Sequence, residues 1–346
     1  MAERVRVVDD GPDEDEQEDD PTEYFASQKS PLEFIDTGST QLNLVCGGGW
    51  PLTRIVNIAG DEATGKTLLC IEASANFKKK WPEGLVFYRE AESAFDEDYA
   101  AALGMPVDEI DFIDPENLVT IEDFYEDLCK ACDKIDKLGV PGLYILDSLD
   151  ALSDEEEMKR AFGKGSFGTQ KAKDMSKLFR MTKQRIHASN MCLIIISQTR
   201  DKISDTGIPG KTKGGGKGIN FYSSIILWLS HMETIEKTRN KIKRATGIRV
   251  RVRCSKNKIS LPHRRCEFVI TFGAGIDDVM SNIDWLDKYE LLKDVVGVER
   301  ATYVKRLDIM SDSDYWDEAA DVAKEVVKRW HDADRVFMDE VRVKPR

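Results

Sequence analysis

Gly60-Asp61-Glu62-Ala63-Thr64-Gly65-Lys66-Thr67 follows directly on the apolar run Arg54-Ile55-Val56-Asn57-Ile58-Ala59 and leads into a helix-length segment that opens with Leu68. The pattern G-x-x-x-x-G-K-T between a strand and a helix is that of a phosphate-binding loop. Its glycines let the backbone curl so that successive N–H groups face one anion, and a helix starting near Gly65 turns the positive end of its dipole the same way. Lys66 then reaches the β- and γ-phosphates of a nucleotide, and the Thr67 hydroxyl supplies a ligand for Mg²⁺. The rival reading, a glycine-rich turn that matches by chance, requires both flanks to be coincidental. Residues 60–68 are therefore expected to bind ATP.

A second apolar segment, Leu143-Tyr144-Ile145-Leu146-Asp147, ends in an acid and is followed by Ser148. Strand ends converge on the ligand crevice in phosphate-loop folds, so Asp147 is expected beside the Mg²⁺. The simpler alternative is a buried strand that stops at a surface acid. Hydrolysis also needs a group that polarises water, and Val86-Phe87-Tyr88-Arg89-Glu90-Ala91-Glu92 offers two acids at the end of another strand.

Strand-like runs fall at 54–59, 85–89, 143–147, 192–197, 224–230, 248–254 and 267–271. Helix-length segments separate the first four, the pattern of a parallel sheet covered on both faces. The last three lie close together, with the turn-like segment 256–265 between two of them, and predict an antiparallel extension. Beyond about residue 276 the chain turns charged and helical, with Ala319, Val322, Val326 and Trp330 at helical spacing within 315–337. The expected organisation is an acidic tail without structure (1–24), a lead-in segment (25–52), an α/β core (53–275) and a small helical C-terminal subdomain (276–346).

The net charge of −13 is strongly segregated. Residues 1–23 hold eleven acids and two basic residues, whereas 158–217 hold fourteen Lys or Arg against three Asp, and 237–265 hold twelve against no acid. Two basic blocks in an acidic protein suit a local phosphate-backbone track, although solvated helix and strand faces give the same count. The alternation Arg249, Arg251, Arg253 puts three guanidinium groups on one sheet face, expected to be exposed or interfacial. Seven scattered cysteines give no disulfide framework, Cys129-x-x-Cys132 lacks a second pair for zinc, and the four histidines lack metal-ligand spacing. With no apolar stretch long enough for a bilayer and an acidic start unlike a secretory signal, a cytoplasmic location is expected.

Several short motifs in order resemble the RecA recombinases. They are Asp36-Thr37-Gly38-Ser39 leading to the phosphate loop, Glu90-Ala91-Glu92-Ser93-Ala94-Phe95-Asp96 leading to Tyr99, Leu146-Asp147-Ser148-Leu149-Asp150, and Ile195-Ile196-Ser197-Gln198-Thr199-Arg200. Residues 214–222, 255–262 and 271–276 continue the likeness, which covers about 33–290. The resemblance implies a RecA-like phosphate-loop NTPase core. It makes Glu92 the water-activating acid, Asp96 and Tyr99 the adenine contacts, Phe272 and Gly273 the border of the base, and Gln198 a switch between γ-phosphate and DNA. Lys256 and Lys258 resemble paired lysines that reach a neighbouring subunit's γ-phosphate.

The same resemblance puts two DNA-binding loops inside the first basic block. The first, 154–169, carries Lys159, Arg160, Lys164 and the apolar wedge Phe167; the second, 199–218, carries Arg200, Lys202, Ile203, Lys211, Lys213 and Lys217 among six glycines. Glycine and lysine together let backbone N–H groups and ammonium heads approach a phosphate chain, and apolar side chains can stack on bases. Phe167 could equally be a core residue of the following helix. Two departures are the Ile225-Ile226 pair where the bacterial proteins carry an arginine, and the acidic run at the N-terminus, expected to compete with DNA for the basic loops.

The expected function is a DNA-dependent ATPase that uses ATP and Mg²⁺, self-associates into a helical filament on single-stranded DNA and pairs it with homologous duplex DNA in recombination and repair. A single-strand DNA-binding protein and a loader are the further partners implied. Alternatives are a ring-forming DNA helicase on the same core, in which Arg264 or Arg265 would act between subunits, and a recombination mediator paralogue with little catalysis.

Overall fold

The computed structural model describes residues 32–92, 95–153, 168–203, 209–214 and 216–340. The chain opens with β1 (Phe34–Ile35), α1 (Thr40–Cys46) and β2 (Trp50–Pro51), then β3 (Ile55–Gly60), α2 (Lys66–Lys80), β4 (Leu85–Glu90), α3 (Glu97–Ala102) and β5 (Asp111–Phe112). There follow α4 (Ile121–Leu138), β6 (Gly142–Asp147), α5 (Gly168–Ala188), β7 (Met191–Ile203), β8 (Pro209–Lys213) and α6 (Gly216–Tyr222). A long hairpin of β9 (Ile225–Arg239) and β10 (Ile242–Asn257) leads to β11 (Arg265–Thr271) and β12 (Gly275–Asp277). The described chain ends in α7 (Asp278–Lys288), α8 (Leu292–Val296), α9 (Arg300–Leu307) and α10 (Asp312–Asp339).

One sheet runs β12-β11-β10-β9-β3-β7-β6-β4-β5, with β8 paired to β7 off this path. Pairings from β9 through β3, β7, β6 and β4 to β5 are parallel, and those among β9, β10, β11 and β12 are antiparallel. The expected parallel sheet with an antiparallel extension is therefore present. The central strands alternate between two cores. Val56, Ile58, Val86, Tyr88, Leu143, Ile145 and Ile194 face α2, whereas Ile55, Phe87, Tyr144, Leu146, Leu193 and Ile195 face α4 and α5. Burial on both faces explains why these strands read as continuous apolar runs.

Local signals start and stop the helices that fix this frame. Thr120 and Asp123 form a capping box at the start of α4, and Gly139 ends it in the left-handed conformation. The C-terminal helices enclose their own core of Val279, Ile283, Leu286, Tyr303, Leu307, Val322 and Val326, to which Leu44 of α1 contributes. Trp330 on α10 packs on the main core and lies near Trp285. Among the described residues no helix is long and apolar enough to cross a membrane.

Two segments differ from the sequence reading. The hairpin β9–β10 runs well past 224–230 and 248–254, and its outer part is exposed on both faces. A ribbon that buries nothing carries no hydrophobic alternation, and Asn240 and Lys241, both at positive φ, turn it back tightly. The expected DNA-binding loop at 199–218 is in large part an antiparallel strand pair: Arg200 pairs with Thr212, Lys202 with Gly210 and Ile203 with Pro209 before α6 begins.

Candidate nucleotide site

The phosphate loop joins the end of β3 to the start of α2, with Gly65 capping the helix at φ 83°. A side chain at Gly65 would be strained there and would collide with Ile270. Lys66 folds back so that its ammonium donates to the Asp61 carbonyl at 2.6 Å, and the Thr64 hydroxyl donates to the same oxygen at 2.8 Å. Burial lowers the Lys66 pKa, opposed by the charges of Asp147, Glu92, Asp61 and Glu62. Asp61 also accepts from the Thr199 hydroxyl, which links the loop to β7. Leu68 is buried beneath the loop.

Asp147 ends β6 beside this loop. Its carboxylate accepts from Thr67 Oγ1 at 2.8 Å and from the Tyr88 hydroxyl at 3.2 Å. Burial pushes its pKa up to about 6; Thr67 and Tyr88 pull it down, and the charges of Glu92 and Glu90 push it further up. A buried acid held by hydroxyls suits a hard divalent cation. Mg²⁺ takes oxygen ligands, commonly one carboxylate with waters and phosphate oxygens, and Thr67 and Asp147 fit that donor set.

The two acids after β4 separate clearly. The Glu90 carboxylate accepts the N–H of Glu92 at 2.9 Å, so it is turned into its own strand end. The Glu92 carboxylate instead accepts from Ser148 Oγ at 2.5 Å and from Gln198 Nε2 at 3.0 Å. Gln198 is anchored in turn by its backbone N–H, which donates to Asp150 Oδ2 at 2.7 Å. In register, Gly60 lies opposite Gln198, and Glu90 opposite Asp147. Glu92, Ser148 and Gln198 thus meet beside Thr67 and Asp147.

The expected adenine residues lie on two elements. Asp96 caps α3 by accepting the Tyr99 N–H at 2.9 Å, and Tyr99 packs half-buried against the main core. Phe272 and Gly273 sit exposed in the turn between β11 and β12. Glu72 on α2 bridges the two regions: it accepts the Ile276 N–H at 3.0 Å, and its charge acts on the Tyr99 hydroxyl. Sequence reasoning missed Glu72, which reads as one of many charges on a helix. It also missed Tyr88, hidden inside an apolar strand.

The expected DNA residues fare unevenly. Lys159, Arg160, Lys164 and Phe167 lie outside the described residues. For Arg200, Lys202, Ile203, Lys211 and Lys217 the backbone is described and the side chains are not. Lys213 departs from expectation. It turns inward, donates to Asn57 Oδ1 and lies over the Trp228 ring, and burial followed by the charge of Lys256 lowers its pKa to about 7. A polar Asn57 inside an apolar strand was the one sign of this contact; its amide also donates to Ser197 Oγ and the Ile195 carbonyl.

Lys256 donates to the carbonyls of Asn220 and Phe221 at 2.6 and 2.8 Å, capping the end of α6, and Lys258 lies over the Phe221 ring. Burial, then the charge of Lys258, lowers the Lys256 pKa to about 8. The arginine face of β10 is largely paired rather than open: Arg249 bridges Glu233 and Asp284, and Arg251 binds Glu267. Arg264 pairs with Asp334 at 2.5 Å and lies over Trp330.

A parallel sheet with a G-x-x-x-x-G-K-T turn at one strand end, and a threonine meeting a strand-terminal aspartate, defines a phosphate-loop nucleotide-binding fold. The sequence family described as RecA N-terminal domain matches residues 23–277. Protein RecA of Leifsonia xyli subsp. xyli is 33% identical over 269 residues, which cover 78% of this chain and 71% of that protein. Protein RecA of Streptomyces ambofaciens is 34% identical over 249 residues (72% and 63%), and that of Leptospira meyeri 34% over 262 residues (75% and 64%). The chain belongs to the RecA family; the match spans about two thirds of the length of these relatives.

Proposed function

We propose that this chain is a DNA-dependent ATPase that assembles as a helical filament on single-stranded DNA and pairs it with homologous duplex DNA in recombination and repair, in the cytoplasm. The observation that carries this reading is the Gln198–Glu92 hydrogen bond, because it joins the nucleotide corner to the strand that continues into the Arg200–Ile203 hairpin. A side chain that contacts both the water-activating acid and the base of a candidate DNA hairpin can bias one by the state of the other.

In this reading Lys66 and the backbone of residues 60–65 hold the phosphates, and Thr67 and Asp147 hold Mg²⁺, which neutralises phosphate charge when bound. Glu92, oriented by Ser148, takes a proton from the attacking water. Asp96, Tyr99, Phe272 and Gly273 bound the adenine. Lys256 and Lys258 serve the γ-phosphate of an adjacent copy, with Lys256 first leaving the end of α6. The residues of 154–169 and 199–218 follow the DNA backbone, with Phe167 and Ile203 as wedges; Lys213, held against Asn57, contributes only if the hairpin opens. A single-strand DNA-binding protein and a loader would regulate assembly. In the ring-helicase alternative Arg264 would first have to leave Asp334, whereas Arg265 is exposed.

Electron microscopy with single-stranded DNA and a slowly hydrolysed ATP analogue tests the assembly: helical filaments are expected, and closed rings or no assembly would reject it. Glu92→Gln should keep ATP-dependent DNA binding and lose turnover by about 10²–10⁴-fold, the size expected for removing a general base. Lys66→Ala should lose both. Near-normal turnover in the Glu92 variant removes that residue from its role.

A further inference from the structure

At the end of β3 opposite the phosphate loop, a cavity of about 350 Å³ opens among Arg54, Lys183, His187, Tyr222, Ser224 and Lys258. Every lining side chain able to carry charge at neutral pH is basic. Lys183 and His187 stand one turn apart on α5, Arg54 leads into β3, and Lys258 follows β10. The half-buried Arg54 guanidinium finds only neutral partners, the Thr53 carbonyl at 3.0 Å and Thr53 Oγ1 at 2.7 Å. No ion pair to a carboxylate forms at Arg54, Lys183, His187 or Lys258 among the described residues. Like charges gathered without a counter-charge cost stability, and a buried cation costs more. Burial lowers the pKa of Arg54. Burial, then the charges of Arg54 and Lys183, lowers that of His187. The chain therefore holds an unbalanced positive pocket bordered by the Ser224 and Tyr222 hydroxyls.

We propose that this cavity is a second oxyanion site, which takes a phosphoryl group between Arg54, Lys183 and His187, with the Ser224 and Tyr222 hydroxyls as further donors. An arginine fork, an ammonium and an imidazole around one opening supply the donors that a tetrahedral oxyanion needs. The free-ion source rests on this cavity alone, since the phosphate loop lies at the other end of β3; the neighbouring-copy source rests on the proposed function, in which Lys258 faces the phosphate of an adjacent copy. Two sources can supply the group: free phosphate, or a phosphate carried on a second copy of the chain, to which the exposed Lys258 would also be presented.

Ring signals of His187, His231, His263 and His331 in the full chain, titrated by NMR in inorganic phosphate and in chloride at equal ionic strength, test the site. The groups facing His187 are Arg54, Lys183, Lys258 and Tyr222, so an anion among them raises its pKa. The His187 midpoint is expected to lie about 0.5–1 pH unit higher in phosphate, with the other three unmoved. Lys183→Ala, on an exposed helix position, and Arg54→Ala should each remove at least half of that shift. A second titration in chloride, with Mg²⁺ and a slowly hydrolysed ATP analogue at rising protein concentration, separates the sources. A His187 shift that grows with concentration assigns the group to a neighbouring copy, and a shift in free phosphate alone assigns it to the free ion. If His187 titrates identically in all conditions, or all four histidines move together as for an adventitious ion only, the proposal fails.

Discussion

β4 and β6 place a buried charge on opposite faces of the sheet, Arg89 on one and Asp147 on the other, and the two faces solve the problem differently. On the α4 side, Arg89 donates to Asp127 Oδ2 at 2.6 Å and to Asp111, while the Tyr144 hydroxyl donates to Asp127 at 2.6 Å. Burial alone would lower the Arg89 pKa, but its bond to Asp127 and the surrounding acids raise it. On the α2 side, Asp147 meets only the hydroxyls of Thr67 and Tyr88, with Lys66 turned to a carbonyl. The first face holds a completed ion pair that fastens β4 to α4 and β5. The second holds an acid without an ion pair, because the nearby Lys66 ammonium is spent on the Asp61 carbonyl. Burial with a partner marks scaffold, and burial without one marks a place where something binds.

Two aspartate substitutions should break the comparison in opposite directions. Under the proposed reading, Asp147→Ala lowers ATP turnover by about 10²-fold or more, since it removes a metal-side carboxylate, and leaves the unfolding midpoint in urea unchanged or higher. Asp127→Ala leaves Arg89 with Asp111 alone and should cost about 3 kcal/mol of stability, read as a lower urea midpoint. Turnover per folded molecule should then stay near normal. If both variants lost stability equally, the distinction between scaffold and site would collapse.

Of these two faces, the sequence told more about the site than about the scaffold. The phosphate loop was legible because a phosphate-wrapping backbone needs glycine at Gly65 and lysine at Lys66 whatever surrounds it. Asp147 was legible because it ends an unbroken apolar strand. The partners were not: Ser148, Tyr88 and Glu72 acquire their contacts from strand register and helix packing, which no local pattern encodes. Nothing in the local sequence pairs Arg89 with Asp127, which α4 brings to it. The inward turn of Lys213 escaped for a related reason, since glycine-rich basic sequence reads as loop whether or not it pairs with β7. The outer half of β9–β10 was missed because exposed ribbons alternate nothing that hydropathy can detect.

Acid–base linkage sharpens the contrast further. The Asp147 pKa is raised by burial from 3.8 to about 6 in the folded chain. A raised folded value means that its contribution to stability is complete below about pH 4 and is lost as pH rises through about 6. Without nucleotide or metal, Asp147→Asn should therefore match the parent in stability near pH 4. It should exceed the parent at pH 7.5, by a margin on the order of 1–3 kcal/mol, measured as the difference in urea unfolding between the two proteins at each pH. Mg²⁺-nucleotide affinity of the parent should weaken about tenfold for each pH unit below 6, because the proton and the cation compete for one carboxylate. A pH-independent difference between parent and variant would mean that Asp147 is not desolvated as the fold implies.

The smallest effect isolates the two tyrosines, which make the same bond to an acid on opposite faces. Tyr144→Phe takes one donor from Asp127, which keeps both bonds to Arg89, so the loss should be about 1 kcal/mol of stability with turnover unaltered. Tyr88→Phe takes from Asp147 one of its two hydroxyl donors, and that bond favours the ionised form. Its removal should lift the Asp147 pKa above about 6 and move the acid limb of the pH–turnover profile upward by less than one unit, at a similar cost in stability. The pH limb, not the stability, separates the pair. If Tyr144→Phe moved that limb as much as Tyr88→Phe, the two faces of the sheet would be electrostatically coupled and could not be read as scaffold and site.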